Sequence, residues 1–110
     1  HCVVILGVHM SPIQLSHCGD CGNPDCAATI QLEGRCAFNL VDLGIALGSA
    51  VSVAANHRMD NRVMWSVGKA VKRLGFVSED VKVAYGIPLS ISGKSPFFDR
   101  AISFKDEGEI

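Results

Sequence analysis

Continuous apolar runs alternate with polar loops along this chain, which predicts a mixture of strands and helices. Residues 3–8 form an unbroken, mostly β-branched run, typical of a strand buried on both faces. Residues 9–25 are rich in Gly, Pro, Ser, His and Asn and predict a loop. A short helix over residues 26–32, ended by Gly34, follows this loop. Residues 81–89 predict a second strand.

Two longer helices are predicted between the strands. Residues 40–56 are apolar nearly all round a helical wheel, which predicts a helix in the middle of the core. Residues 60–74 carry apolar side chains at helical spacing, so they predict an amphipathic helix capped by Asp60 or Asn61 and ended by Gly75. The fold class is therefore α+β (or α/β). We expect a β-loop-α-α-β fragment with two central packed helices and strands that join a larger sheet.

Small residues form a stripe along the predicted buried helix. Gly44, Gly48 and Ser52 are spaced four apart, so they lie on one side of it. A glycine inside a helix costs about 1 kcal/mol relative to alanine. We therefore expect another helix or a bound group to press close to this stripe.

Length and charge limit the classes of function. A chain of 110 residues with 48% apolar residues is sufficient for one domain, residues 1–110, with a polar tail at 101–110. The formal charge of -1 argues against a dedicated nucleic-acid binder. Residues 58–73 nevertheless hold five bases and one acid, and form either a solvated helix face or a surface for an acidic redox partner protein. The apolar stretch 40–55 contains Asp42 and is shorter than the ~20 residues of a membrane span, so none is predicted.

The cysteine count indicates a reducing compartment. Five cysteines are an odd number, they are clustered, and no signal peptide precedes them. This pattern favours the cytoplasm over a secreted disulfide framework. The chain begins at His1 and enters an apolar run directly, which suggests a fragment of a longer protein.

Four of the cysteines are spaced as metal ligands, at Cys18, Cys21, Cys26 and Cys36. Three thiolates on one tight loop, with a fourth from a separate turn, are typical of an iron–sulfur cluster, here in a cluster loop at residues 17–36. Structural zinc also takes four cysteines, although its usual signature has two C-x2-C pairs. A disulfide or unmetallated thiols are the third possibility. Cys2 is predicted to be a buried apolar residue of the first strand.

A second candidate site lies in residues 90–100. Hydroxyl groups, a glycine, Lys94 and Arg100 gather there, and such a loop can bind a phosphate group. The alternative is a structural turn with Phe97 and Phe98 packed into the core.

Four segments of the chain carry a resemblance to a known family. The runs are CGDCGNPDC, GRCAFNLVDLGIALGSAV, DNRVMWSVGKAVKRLG and GIPLSISGKSPFFDR. In this order they resemble uncharacterised bacterial and archaeal proteins described as containing a ferredoxin domain, up to Arg100. Members of that family are longer at the N-terminus. The resemblance implies an iron–sulfur electron-transfer role without naming a reaction or the redox partner.

The first three cysteines also resemble the C-x2-C-G-x3-C opening of a four-cysteine module of anaerobic electron-transport and corrinoid proteins. That module holds a [4Fe-4S] cluster, so the resemblance implies this cluster type here. Its fourth cysteine normally lies farther along the chain than Cys36 does.

A fainter resemblance concerns the two longer helices and the strand VKVAYGIPLS. Together they look like the C-terminal half of nitroreductase-type flavoproteins, in which FMN lies at a dimer interface. This resemblance implies an alternative function as an FMN-dependent oxidoreductase and a homodimer. Its cofactor-binding residues would be Gly44, Gly48, Lys94 and Arg100.

Overall fold

A three-stranded antiparallel sheet and three helices make up residues 1–14 and 18–98, the parts of the chain that the computed structural model describes. In chain order the elements are β1 (Cys2–His9), α1 (Cys26–Gln31), α2 (Ala37–Asn56), β2 (Asp60–Asn61), α3 (Trp65–Arg73) and β3 (Val81–Ser90). The strand order is β1-β3-β2, so β3 is central. The α+β class is confirmed, and the antiparallel pairing removes the α/β alternative. The predicted polar tail 101–110 lies outside the described residues.

The sheet separates the two longer helices. On one face of β3, Ile87 packs with Leu43 and Leu47 of α2 to form the core. On the other face, a Cβ added at Gly86 would lie 2.6 Å from Cβ of Val67 in α3. Consecutive strand residues point to opposite faces, so α2 and α3 lie on opposite sides of the sheet. Each helix contacts β1 and β3 but not the other helix. The expected packing of the two helices against each other was therefore wrong, since each buries its apolar stripe on the sheet.

Helix α2 is not the buried central helix that its composition predicted. One stripe of it is buried on the sheet, while Val41, Ile45 and Val53 on the other side are 59%, 66% and 55% exposed. No atom lies within 4 Å of a Cβ built on Gly44 or Gly48. The expectation that a helix or bound group presses on the small-residue stripe is therefore not met within the described part of the chain.

The same helix also meets a length and composition test for a membrane span. Residues Ala37–Asn56 have a mean hydropathy of 1.6 over an 18-residue window, of which 22% is buried. It is the one such helix among residues 1–14 and 18–98. Because core helices of soluble proteins pass the same test, a single helix of this kind is weak evidence.

The helix predicted from residue 60 begins later, because the preceding backbone joins the sheet. Asp60 and Asn61 pair with Ser90 and Leu89 as β2, so neither caps a helix. The Met64 N–H then donates to the Gly86 carbonyl at 2.7 Å and its carbonyl accepts from the Gly86 N–H at 3.0 Å. Helix α3 starts only after these bonds, at Trp65. Its end agrees with prediction: Gly75 follows it with φ +75°.

Candidate metal centre

All four cysteines of the predicted ligand set line a single pocket. Cys18, Cys21, Cys26 and Cys36 border a space of about 370 Å³, part of which is open solvent. Cys36 is buried and the other three are half-buried. None of them forms a disulfide. The fold thus brings to one place residues that are separated by up to 18 positions in the sequence.

A tight turn carries the first two cysteines of the pocket. The Gly22 N–H donates to the Gly19 carbonyl at 3.0 Å, which closes the turn around Cys21. Gly19 and Gly22 have φ of +63° and +90°. Side chains disfavour this left-handed region, so the glycines that follow Cys18 and Cys21 allow the chain to fold back towards the pocket.

Helix α1 holds the third cysteine and turns the chain towards the fourth. Asp25 caps the helix by accepting a backbone N–H at 2.8 Å, so that Cys26 is its first residue. At its other end Glu33 adopts a φ of +54°, and the Gly34 N–H donates to the Thr29 carbonyl at 2.9 Å. The predicted helix end is therefore confirmed, although the left-handed residue is Glu33 and not Gly34.

Thr29 connects α1 to the cysteine turn. Its side chain is 1% exposed, and Oγ1 lies 3.0 Å from Cys21 Sγ. Oγ1 accepts a hydrogen bond from Asn23 Nδ2 at 3.0 Å and lies 3.3 Å from the Asp25 carbonyl. Since the hydroxyl has one proton, it can donate to the sulfur of Cys21 or to that carbonyl. Thr29 therefore positions Cys21 and supplies a donor to it.

Cys36 lies at the start of α2, next to a loop that Asn39 fixes in place. The buried Asn39 side chain accepts from the Ser11 N–H at 2.8 Å and donates to the Ser11 carbonyl at 3.1 Å. These two bonds hold the segment that brings Pro12 and Ile13 into the wall of the pocket. Cys36 is the N-cap residue of a 20-residue helix, and the positive end of the helix dipole favours an anionic sulfur there.

Hydrogen-bond donors lower the pKa of two of the thiols. The Thr29 hydroxyl, followed by the Asn23 N–H, holds the pKa of Cys21 below its ordinary value. For Cys36, burial raises the pKa, but nearby backbone N–H groups, that of Asn39 first, outweigh it, so that the net shift is downward. A negative charge on Cys21 raises the pKa of Cys36. Both thiols are therefore biased towards the thiolate form, which is the form that binds metals.

The donor set fits a soft, thiolate-bound metal centre. Negative charges on Cys21 and Cys36 repel each other, and a bound cation would offset this repulsion. Pro12, Ile13 and Phe38 supply apolar wall to the pocket. Across residues 1–14 and 18–98, no three His, Cys, Asp or Glu side chains form a ready metal-ion site. The four cysteines thus share a pocket without being at coordination distance from a common point.

Gly44, Gly48 and Lys94, predicted as cofactor-binding residues, do not line this pocket. Gly44 and Gly48 lie on the exposed side of α2. Lys94 lies in the exposed loop after β3, where its carbonyl accepts from Ser92 Oγ at 2.8 Å. Arg100 lies outside the described residues, as does His17 at the start of the predicted cluster loop. The prediction that Gly44, Gly48, Lys94 and Arg100 bind a cofactor therefore stays a prediction.

Two further expectations were wrong. Cys2, expected to be a buried strand residue, is exposed on β1, since β1 is an edge strand of the sheet. Phe98, in the turn expected to pack into the core, is 62% exposed. Its ring lies 4.9 Å from the Arg62 guanidinium carbon, and Arg62 also donates to the Phe97 carbonyl at 2.8 Å.

Sequence reasoning missed the residues that support the cysteines. Asn39 interrupts an apolar run, and a polar residue in such a run is a usable signal for a buried hydrogen-bonded group. Thr29 gives no comparable signal, because a threonine in a short helix is ordinary. Its importance depends on the turn that brings Cys21 against it.

Changing Thr29 should alter the titration of Cys21. In Thr29→Val the hydroxyl donor is lost, so the pKa of Cys21 should rise and its alkylation should require a higher pH, because the thiolate is the reactive form. The pH dependence of iodoacetamide labelling of the metal-free protein, read for the Cys21 peptide by mass spectrometry, measures this shift. Thr29→Ser keeps the hydroxyl and should titrate like the original protein. Identical profiles for the valine and serine variants would contradict the assigned role.

Comparison with known proteins identifies the family. A family model described as "Uncharacterized protein containing a ferredoxin domain" matches residues 33–100. An uncharacterized protein of the archaeon Archaeoglobus fulgidus is 44% identical over 93 residues, which cover 77% of this chain and 50% of the relative. The chain thus spans about half the length of this curated relative. No solved structure matches the chain significantly.

The matched segment covers well over half of the chain, but it contains Cys36 and not the other three cysteines of the pocket. The family match and the cysteine pocket therefore depend largely on different residues, and both are relevant to metal binding by thiols. The family description hints at an iron–sulfur protein, and the pocket is lined by four thiols. The chain belongs to the family of uncharacterized proteins that contain a ferredoxin domain.

Proposed function

We propose that this protein is an iron–sulfur redox protein whose cluster, of the [4Fe-4S] type, is held by Cys18, Cys21, Cys26 and Cys36. The observation that carries the proposal is that these four thiols line one pocket. The ferredoxin-domain family description supports it independently. A bound cluster would supply reversible transfer of single electrons. The five free thiols agree with a reducing compartment such as the cytoplasm.

The residues around the pocket would tune such a centre. The Thr29 hydroxyl, and backbone N–H groups near Cys36 such as that of Asn39, direct positive charge at sulfur. Donors of this kind stabilise negative charge on the sulfur ligands and influence the reduction potential. The apolar walls at Pro12 and Phe38 limit access of water. These features are properties of the chain itself and do not depend on the identity of the electron donor or acceptor.

The absorption spectrum of protein purified without oxygen distinguishes this function from its alternatives. We expect a broad brown visible absorbance that bleaches with dithionite. A colourless protein that contains zinc would indicate a zinc-stabilised interaction module instead. A yellow protein that keeps a flavin absorbance after iron chelation would indicate the FMN-dependent oxidoreductase. Either of these two results would overturn the proposed function.

A further inference from the structure

A cluster of positive charge lies beside the cysteine pocket, and the sequence indicated only its two lysines on α3. It combines Lys69 and Lys72 of α3 with Lys82 of β3 and Arg35 of the segment before α2, and we call these four residues the basic patch. Lys72 Nζ donates to the Lys82 carbonyl at 2.6 Å, which joins α3 to β3. Burial lowers the pKa of Lys72, and the positive charges of Lys69, Arg35 and Lys82 lower it further. These four side chains therefore come from three parts of the chain and together produce one region of positive electrostatic potential.

No carboxylate of the described residues is in ion-pair contact with the basic patch. Within the described residues, none of the four cations makes an ion pair, and the arginine of the patch donates instead to the backbone carbonyl of Glu33 at 2.8 Å. Glu33 is the acidic residue that shares a cavity with Arg35 and Lys82. Arg35, Lys69 and Lys82 are exposed. A group of four cations with a single neighbouring acid has an excess of positive charge, which favours binding of an anionic surface.

An exposed tryptophan lies next to the basic patch. Trp65 is 59% exposed, and the Lys69 ammonium lies 5.4 Å from the centre of its ring. Trp65 lines a small concavity of about 70 Å³ together with Lys69, Lys72 and Lys82. Tryptophan is a common anchor of protein interfaces, since it buries a large area at low entropic cost.

The basic patch reaches the edge of the cysteine pocket. Lys82 lines both the tryptophan concavity and a neighbouring cavity that contains Arg35 and Pro12. Pro12 also lines the cysteine pocket, and Arg35 directly precedes Cys36. A protein bound to the patch would therefore lie next to the four thiols.

From this placement we infer that the basic patch and Trp65 dock an acidic face of a redox partner protein beside the cysteine pocket. The inference rests on the proposed function, because a redox partner is required only if the cysteines hold a redox centre. In that exchange one electron leaves the reduced partner, which is oxidised, and reduces the centre held by the cysteines. An acidic protein fits better than a nucleic acid, because the chain has a net charge of -1 and the patch is compact.

Cross-linking to an acidic one-electron carrier tests the docking without requiring a cluster. Bacterial flavodoxin is the probe, and a carbodiimide joins lysines to carboxylates that touch them. In the metal-free protein, cross-links should map to Lys69, Lys72 and Lys82. Binding should weaken by more than about tenfold between low and high salt, because exposed charges are screened within about a Debye length. Cross-links at other lysines, or none at all, would overturn the inference.

Paired variants give the matched control. Lys69→Gln/Lys82→Gln removes two charges from the patch and should slow association with flavodoxin by about fivefold or more at low salt. The single variants Lys69→Gln and Arg58→Gln extend this control, because Arg58 does not line either cavity of the patch. Lys69→Gln should slow association and Arg58→Gln should have little effect, so equal effects of these two variants would contradict the inference. Tighter binding of an oligothymidylate strand than of flavodoxin would also overturn it, in favour of a nucleic-acid surface.

Electron transfer provides the readout that separates the two proposals. If flavodoxin binds at the patch but no electron reaches the protein purified with its metal, the docking surface stands and the proposed function fails. If electrons pass equally fast in the Lys69→Gln/Lys82→Gln variant and the original protein at low salt, the function stands and the docking surface fails.

Discussion

Protein with Cys21→Ser or Cys36→Ser is expected to lose its visible absorbance by more than about tenfold after anaerobic purification, because a serine hydroxyl is a far weaker ligand at neutral pH than a thiolate. Both thiols line the pocket, and both have a lowered pKa. Serine has almost the same size as cysteine, so the loss would reflect ligand chemistry and not packing. The visible spectrum and the iron content per chain measure the effect.

The chain supplies its own control for this experiment. Cys2 is exposed on β1 and does not line the pocket. Cys2→Ser should therefore leave absorbance and iron content unchanged. If Cys2→Ser is as damaging as Cys21→Ser, or if all single variants keep a full complement of iron, the assignment of the four ligands is wrong.

The largest effect on stability is expected at Gly68. This residue of α3 is buried, and a Cβ built on it would overlap the Ala84 carbonyl group and lie 2.8 Å from Tyr85 Cα. Because the obstacle is the backbone of the central strand, α3 would have to move away from the sheet. Gly68→Ala should therefore lower the free energy of unfolding by about 3 kcal/mol, in the range of severe overpacking. Urea denaturation followed by circular dichroism measures this change.

Gly48→Ala is the matched control, since it is the same substitution in another helix. Among the described residues, nothing outside the neighbouring turns of the helix lies within 4 Å of a Cβ at Gly48, so the variant should gain about 1 kcal/mol from the better helix propensity of alanine. Opposite signs for the two variants would support the packing described above. Destabilisation by Gly48→Ala would mean that something covers the exposed side of α2, and a neutral Gly68→Ala would contradict the close contact of α3 with β3.

The two glycine substitutions also show what the sequence could not decide. Spacing alone placed the close approach at Gly44 and Gly48, because glycines four apart on an apolar helix favour it. In the structure the close approach occurs at Gly68 and Gly86, where α3 meets β3. A glycine in the sequence indicates either that a neighbouring element leaves no space for a Cβ or that a small residue is merely tolerated there. Only the tertiary structure distinguishes these two cases.

Elements with strong local signals were predicted well. The positions of β1 and β3 and the stop at Gly75 agree with prediction. The expected burial of β1 on both faces was wrong, because β1 is an edge strand on which Val3 and Val4 are 51% and 37% exposed. The start of α3 was not predicted, because helical spacing of apolar residues says nothing about whether residues 60–64 find a partner strand. Their hydrogen bonds to β3 are long-range contacts, and these outweighed the local preference for a helix.

For the candidate site, the sequence indicated which cysteines to consider, and the structure shows how they are positioned. The contribution of Thr29 and Asn39 depends on contacts across the pocket that spacing does not contain. The same holds for the basic patch. Lys82 and Arg35 lie far from α3 in the sequence, so the predicted basic helix included only the lysines at 69 and 72 of the four cations that the fold brings together.

Quantifying iron and acid-labile sulfide in protein purified without oxygen tests the central claim most directly. If Cys18, Cys21, Cys26 and Cys36 hold one [4Fe-4S] cluster, each chain should contain about four iron atoms and about four sulfides. Zinc in place of iron, or iron without sulfide, would contradict the proposed function.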